Sequence, residues 1–178
     1  MSDRLLIRLA TTADLSILTP LMDLAIGSHL ARVLSPEQVE ASFEIMGLDS
    51  QLIADGTYLV VEIDGVIAGC GGWSRRATLF GGDHTVGRNA ALLNPQTDSA
   101  RVRAMYTHPD FARRGVGRMI LDDCEARARS EGFSACELAA TLSGEPLYLA
   151  CGYSPIRRFE AVSSRGVVVP LIQMGKAL

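Results

Sequence analysis

One segment constrains the fold of this 178-residue chain more than any other. Arg101 to Tyr106 alternates as a strand, a short turn carries Pro109, and a glycine-punctuated helix runs from about Arg114 to Ser130. The helix begins against the usual rules. Gly115 and Gly117 sit in its first turn, each costing ~1 kcal/mol relative to Ala. Arg113, Arg114 and Arg118 crowd the positive end of its dipole, where acids are preferred, and the first acid inside the helix is Asp122, a full turn later. A docked anion reconciles both features. Glycines let a phosphate approach the exposed backbone N–H groups, while the dipole and the arginines hold its charge. The plain alternative is a solvated basic face with glycines left over from a turn; conflict with local stability favours a site. Two nucleotide-binding patterns fit poorly. A Walker A loop needs a lysine that is absent here. A dinucleotide fingerprint needs a third glycine where Ile120 stands, and it needs that turn directly after the strand.

The rest of the chain supplies strands and helices around this unit. Leu5, Ile7 and Leu9 alternate with Arg4, Leu6 and Arg8, the period of a half-buried strand. Thr11 and Thr12 offer an N-cap to a helix carrying Leu15, Leu18, Leu21, Met22, Ala25 and Ile26. Ser35 caps a second helix, with Gln38 as its capping-box partner. Tyr58 to Ile63 and Val66 to Trp73 form a hairpin about Asp64-Gly65. Residues 74–100 are a long irregular connection. Phe133 to Ala140 is a strand, Gly144 to Ala150 a short helix, and Ile156 to Val162 pairs with Val167 to Met174. The order β-α-α-β-β-β-α-β-α-β-β predicts an α/β (α+β) fold, one mixed sheet with helices on its faces, in a single domain spanning residues 1–178. Hydrophobic residues at 48% and charged residues at 21% suit an ordinary globular core. A net charge of -3 and a pI near 5.6 argue against a dedicated nucleic-acid binder. Cys70, Cys124, Cys136 and Cys151 form no C-x-x-C pair and read as buried free thiols of a reducing compartment. The histidines and cysteines show no metal-ligand spacing, so no metal is expected. No apolar run approaches the ~20 residues needed to span a bilayer. The N-terminus has no apolar h-region, which predicts no signal peptide and a cytoplasmic protein.

Met105-Tyr106-Thr107-His108-Pro109 followed by Ala112-Arg113-Arg114-Gly115-Val116-Gly117 resembles the signature of the GNAT superfamily of N-acetyltransferases. That signature is a strand, a proline turn, and Q/R-x-x-G-x-G/A opening a helix. Ala112 departs from it, standing where the family has Arg or Gln. A second stretch, from Glu145 through Tyr148 to Gly152-Tyr153, resembles the family's A-x-x-x-Y-x-x-x-G-F/Y element. The element order over nearly all of the chain is similar as well.

The resemblance implies a mostly antiparallel six- or seven-stranded sheet flanked by about four helices. It implies acetyl-coenzyme A as cosubstrate and direct transfer of its acetyl group to a primary amine of a small molecule or peptide. The pantetheine arm would pair with the strand at Met105, Tyr106 and Thr107. The diphosphate would rest on Arg113, Arg114, Gly115, Val116, Gly117 and Arg118. Tyr148 would be the general acid at the departing sulfur. The base stays open among Glu137, His84, Asp83 and His108. Arg101 and Arg103 would face an acidic substrate group or, more simply, solvent. The first two helices, with Met22, His29, Phe43 and Met46, and the loop 74–100 would wall the acceptor site. Cys151 reads as an inert thiol. A catalytically silent acyl-coenzyme A sensor is the alternative from another class. Nucleic-acid binding through Arg113, Arg114 and Arg118 is the weakest reading. No membrane partner is implied, and a homodimer is allowed.

Overall fold

The computed structural model describes residues 4–178. Seven strands form one sheet: β1 (Leu5–Leu9), β2 (Tyr58–Ile63), β3 (Val66–Ser74), β4 (Ala100–Thr107), β5 (Ala135–Thr141), β6 (Ser154–Val162) and β7 (Val168–Ala177). Their spatial order is β1-β2-β3-β4-β5-β7-β6. All neighbours are antiparallel except β4 and β5. Such a parallel pair needs a long crossover, and the helix Val116–Ser130 supplies it. In chain order the α-helices are α1 (Leu15–Leu30), α2 (Pro36–Ile45), α3 (Ser50–Ala54), α4 (Val116–Ser130) and α5 (Glu145–Ala150). The short α3 is one more than the periodicity marks, because five residues are too few to show a helical period.

β2 shows how the sheet is covered. Leu59, Val61 and Ile63 join the core beneath α4 with Val116, Ile120, Leu121 and Cys124. Tyr58 and Val60 point the other way and pack with Leu18, Leu21 and Met22 of α1. A strand buried on both faces reads as a continuous apolar run rather than an alternation. A smaller cluster joins Ala41 and Ile45 of α2 to Ala161, Val169 and Leu171. β1 is an edge strand, and only Ile7 packs inward while Leu5, Leu6 and Leu9 stay exposed. All four cysteines are free and buried, and burial pushes the Cys70 and Cys136 thiols up to about 12.

Local sequence chemistry accounts for the helix starts. Ser35 accepts from the Gln38 N–H while the Gln38 side chain accepts from Ser35 N–H, closing the expected capping box. Thr11 begins a 3-10 turn, Thr12–Asp14, that leads into α1. There Asp14 receives two hydrogen bonds from Arg8, at 2.8 and 2.9 Å, and one from the Thr11 N–H at 2.7 Å. The Arg8 guanidinium holds the Asp14 carboxyl at about 2. A carboxylate lowered by folding stabilises above its ordinary pKa near 4, and that contribution is lost as the pH falls toward 2. Asp14→Asn is therefore expected to cost about 2 kcal/mol at pH 7 and much less at pH 2.5, measured by urea unfolding at both.

Candidate active site

β4 and β5 pair only at their first residues, Ala100 with Cys136 and Arg101 with Glu137. Beyond that point they part. The register of β4 against β3 steps from Arg103↔Gly72 to Tyr106↔Cys70, so β4 carries one extra residue. Ala104 takes up the difference with φ 51°. Such a bulge bends its strand away from the neighbour. The left-handed conformation costs an alanine ~1–2 kcal/mol, and the Tyr58 hydroxyl helps to hold it by donating to the Ala104 carbonyl at 2.8 Å.

The split opens into a cleft of about 720 Å³. Residues 103–107 of β4 form its floor, and the loop from Ala112 and the start of α4 form one end. The C-terminal part of β5 with α5 forms the facing wall. His29, Arg32, Met46 and the segment Leu79–Gly81 complete its lining.

α4 begins at Val116, two residues later than the sequence pattern suggests. Arg113 has φ 65° and Gly115 has φ 83°, conformations that no α-helix accepts. Gly115 is the N-cap and offers no side chain, so the first amides of α4 receive no side-chain cap. A Cβ built on Gly115 meets nothing within 4 Å. The uncapped end therefore faces open space lined by Ala112, Arg113, Gly115, Val116, Gly117 and Arg118. On the opposite side, β3 lets α4 approach very closely, since a Cβ on Gly69 would stand 2.5 Å from Val116 Cγ1. Open amides, a dipole end and the Arg113 and Arg118 side chains fit a diphosphate. Arg114 does not line the cleft; its guanidinium lies 5.3 Å from the centre of the Phe111 ring.

Tyr148 on α5 lines the same cleft, and only 7% of it is exposed. Its ring meets Tyr153 edge to face at 5.9 Å. Its hydroxyl makes no hydrogen bond among the described residues. Burial pushes the phenol well above its usual 10. The group is thus a protonated donor without a partner, inside the split.

None of the four carboxylates and histidines considered as a base lines the cleft. Glu137 accepts from Arg101 and from Gln173, both at 2.8 Å. Asp83 accepts from Ser50. A ring nitrogen of His84 lies 3.0 Å from the Phe43 carbonyl, and His108 accepts from the Asp110 N–H. His29, by contrast, does line it: Nε2 donates to the Thr107 carbonyl at 2.8 Å, which leaves Nδ1 as the acceptor. Of the other acceptor-site residues, Met46 lines the cleft, whereas Met22 is buried in the core and Phe43 is exposed.

Arg103 is the largest departure from a solvated strand face. It is 3% exposed and donates to Asp49 at 2.9 Å, to the Gly81 carbonyl at 2.6 Å and to the Thr78 carbonyl at 3.2 Å. Arg88 reaches the other oxygen of Asp49 at 2.7 Å. Two arginines on one buried carboxylate thus pin residues 78–88 against the cleft floor. Asp49→Ala leaves the buried Arg103 without its carboxylate, while Arg88 keeps Asp83 at 3.6 Å, and is expected to cost about 3–5 kcal/mol in urea unfolding.

A mixed sheet split between two parallel strands, with an uncapped glycine-started helix at the split, fits a class of acyltransferases that draw on acyl-coenzyme A. The chain belongs to the acetyltransferase (GNAT) family, whose model matches residues 25–153. It is accordingly an N-acetyltransferase with acetyl-coenzyme A as cosubstrate. Solved structures share the fold. A GCN5-related N-acetyltransferase of Rhodopseudomonas palustris is 21% identical, with 100% of this chain and 99% of that one covered at a TM-score of 0.73. The PaiA N-acetyltransferase of Thermoplasma acidophilum, solved with coenzyme A, is 14% identical, with 100% of both chains covered at a TM-score of 0.64. YncA of Salmonella typhimurium, a putative acetyltransferase solved with acetyl-coenzyme A, is 18% identical, with 98% and 94% covered at 0.63. No curated protein matches the chain. Among the described residues, no helix is long and apolar enough to cross a membrane.

Proposed function

We propose that this protein transfers the acetyl group of acetyl-coenzyme A directly to a primary amine of a small molecule or peptide. The observation that carries the reading is the uncapped amino end of α4 opening into the split between β4 and β5. The backbone N–H groups from Arg113 to Arg118 bind the diphosphate, with charge from the Arg113 and Arg118 side chains; Arg114, set over Phe111, contributes its backbone alone. The free edge of β4 at Met105, Tyr106 and Thr107 pairs with the pantetheine arm as an added strand would. The cosubstrate supplies an acetyl group activated as a thioester. A β4 N–H beside the Ala104 bulge polarises the carbonyl as a small oxyanion hole.

The neutral amine nitrogen bonds to the carbonyl carbon as the carbon–sulfur bond breaks, the proton shed by nitrogen leaves through solvent to the released thiolate, and no side chain is acylated on the way. Tyr148 donates a hydrogen bond to the departing sulfur. Full proton transfer from a phenol near 10 to a thiol near 8.5 is already uphill by ~2 kcal/mol, and burial of Tyr148 raises that further. Its role is to stabilise developing thiolate charge through an intact O–H.

Thiol release from acetyl-coenzyme A across a panel of amines tests the reading. Amine-dependent release is expected. Tight coenzyme A binding without turnover on any amine would contradict it and favour the sensor.

A further inference from the structure

Within that transferase reading, on which it rests, we infer that the acceptor is an amine carrying an anionic group on an apolar body, such as an amino acid with a free carboxylate, and that Arg32 receives the anionic group. The charge lining the cleft carries this. Arg32, Arg103, Arg113 and Arg118 line it, and among the described residues that line it there is no aspartate or glutamate. The nearby carboxylate of Asp49 is buried behind the wall and already accepts from Arg88 and Arg103. A polyamine entering this cleft would meet Arg32 and no carboxylate on the lining. A zwitterion or an anion would meet complementary charge.

The cations divide by place. Arg113 and Arg118 belong to the anion cradle at α4. Arg103 has its donors committed to Asp49 and to the carbonyls of Thr78 and Gly81. Arg32 lies in the turn after α1, outside the loop and helix start that form the cradle, and lines the same cleft. It is exposed, and its side chain has no hydrogen bond or ion pair among the described residues. In the same cleft Ile45, Met46, Leu79, Phe80, Val102 and Leu171 supply apolar lining.

His29, whose Nε2 donates to the Thr107 carbonyl, presents Nδ1 as the candidate proton acceptor on the lining.

The test compares leucine, methionine and phenylalanine with their carboxamides and with spermidine, under saturating acetyl-coenzyme A. The free carboxylates are expected to exceed the carboxamides at least tenfold in kcat/KM, with spermidine lowest. Arg32→Ala is expected to erase the difference between carboxylate and carboxamide while coenzyme A affinity by calorimetry stays within twofold. Arg32→Lys should recover part of it. Turnover that favours spermidine, or that treats carboxylate and carboxamide alike, overturns the inference and leaves the transferase reading intact. So does an Arg32→Ala variant that loses coenzyme A affinity as much as acceptor selectivity, since Arg32 would then serve the cosubstrate. No turnover on either class of amine sinks the transferase reading, and this inference with it.

Discussion

Gly117→Glu is expected to weaken coenzyme A binding at least 100-fold while the chain stays folded. Gly117 is the second residue of α4 and lines the cleft, and a Cβ there stands 2.8 Å from Leu147 Cδ2. The new side chain must therefore grow within the cradle. A carboxylate ~4 Å from a phosphate charge costs between ~1 kcal/mol in water and ~4 kcal/mol at an effective dielectric of 20. A diphosphate carries more than one such charge, so ~3 kcal/mol, or two decades in Kd, is a conservative figure. Folding has little reason to suffer. Glycine inside a helix costs ~1 kcal/mol relative to alanine, and an acid in the first turn gains ~0.3–1 kcal/mol from the dipole. For the Cβ itself, the far end of the Leu147 side chain is what has to give way. Calorimetry should show lost binding, and urea unfolding should show a midpoint at or above that of the parent. Gly117→Ala, which adds bulk without charge, should lose less than tenfold. A Gly117→Glu protein that binds within fivefold of the parent would mean the diphosphate lies elsewhere.

Tyr148→Phe is expected to lower kcat about 100-fold, at the low end of what a positioned proton donor contributes. The hydroxyl has no hydrogen-bond partner among the described residues, so its removal breaks nothing that holds the fold. Unfolding free energy and coenzyme A affinity should both stay close to those of the parent. The loss should appear in kcat rather than in KM, because the bond to sulfur strengthens only as the thioester breaks. Burial raises the phenol pKa, so the donor form persists below that raised value. The rate of the parent should therefore show no fall from Tyr148 ionisation up to about pH 10, the reference value. An unchanged kcat in Tyr148→Phe would reduce the residue to a ring packed against Tyr153.

What could be read from the sequence was local. Gly115, Gly117 and three arginines contradict helix physics within six residues, so a candidate anion site is legible without a structure. The spacing of Tyr148 and Gly152 from that motif added the second landmark. What stayed hidden was long-range or conformational. Arg101 to Tyr106 alternates without a break, and nothing in an alanine announces φ 51°; the bulge that opens the split is therefore invisible in the pattern. Asp49 and Arg103 are 54 residues apart, and His29 and Thr107 are 78 apart. Neither pair leaves a periodic trace, so Arg103 reads as a solvated strand residue and His29 as one pocket residue among several. The helix starts two residues later than its pattern suggests for a related reason. Composition places Arg113 and Arg114 at the dipole, but the positive φ of Arg113 and Gly115 keeps both arginines in the loop. There Arg113 lines the cleft and Arg114 stacks on Phe111.

A crystal structure of the complex with coenzyme A is the most direct measurement of where the diphosphate goes. The account requires its oxygens within about 2.7–3.2 Å of backbone nitrogens between Arg113 and Arg118, with the pantetheine arm along Met105 to Thr107. A diphosphate held only by side chains, or seated away from the opening between β4 and β5, would contradict it.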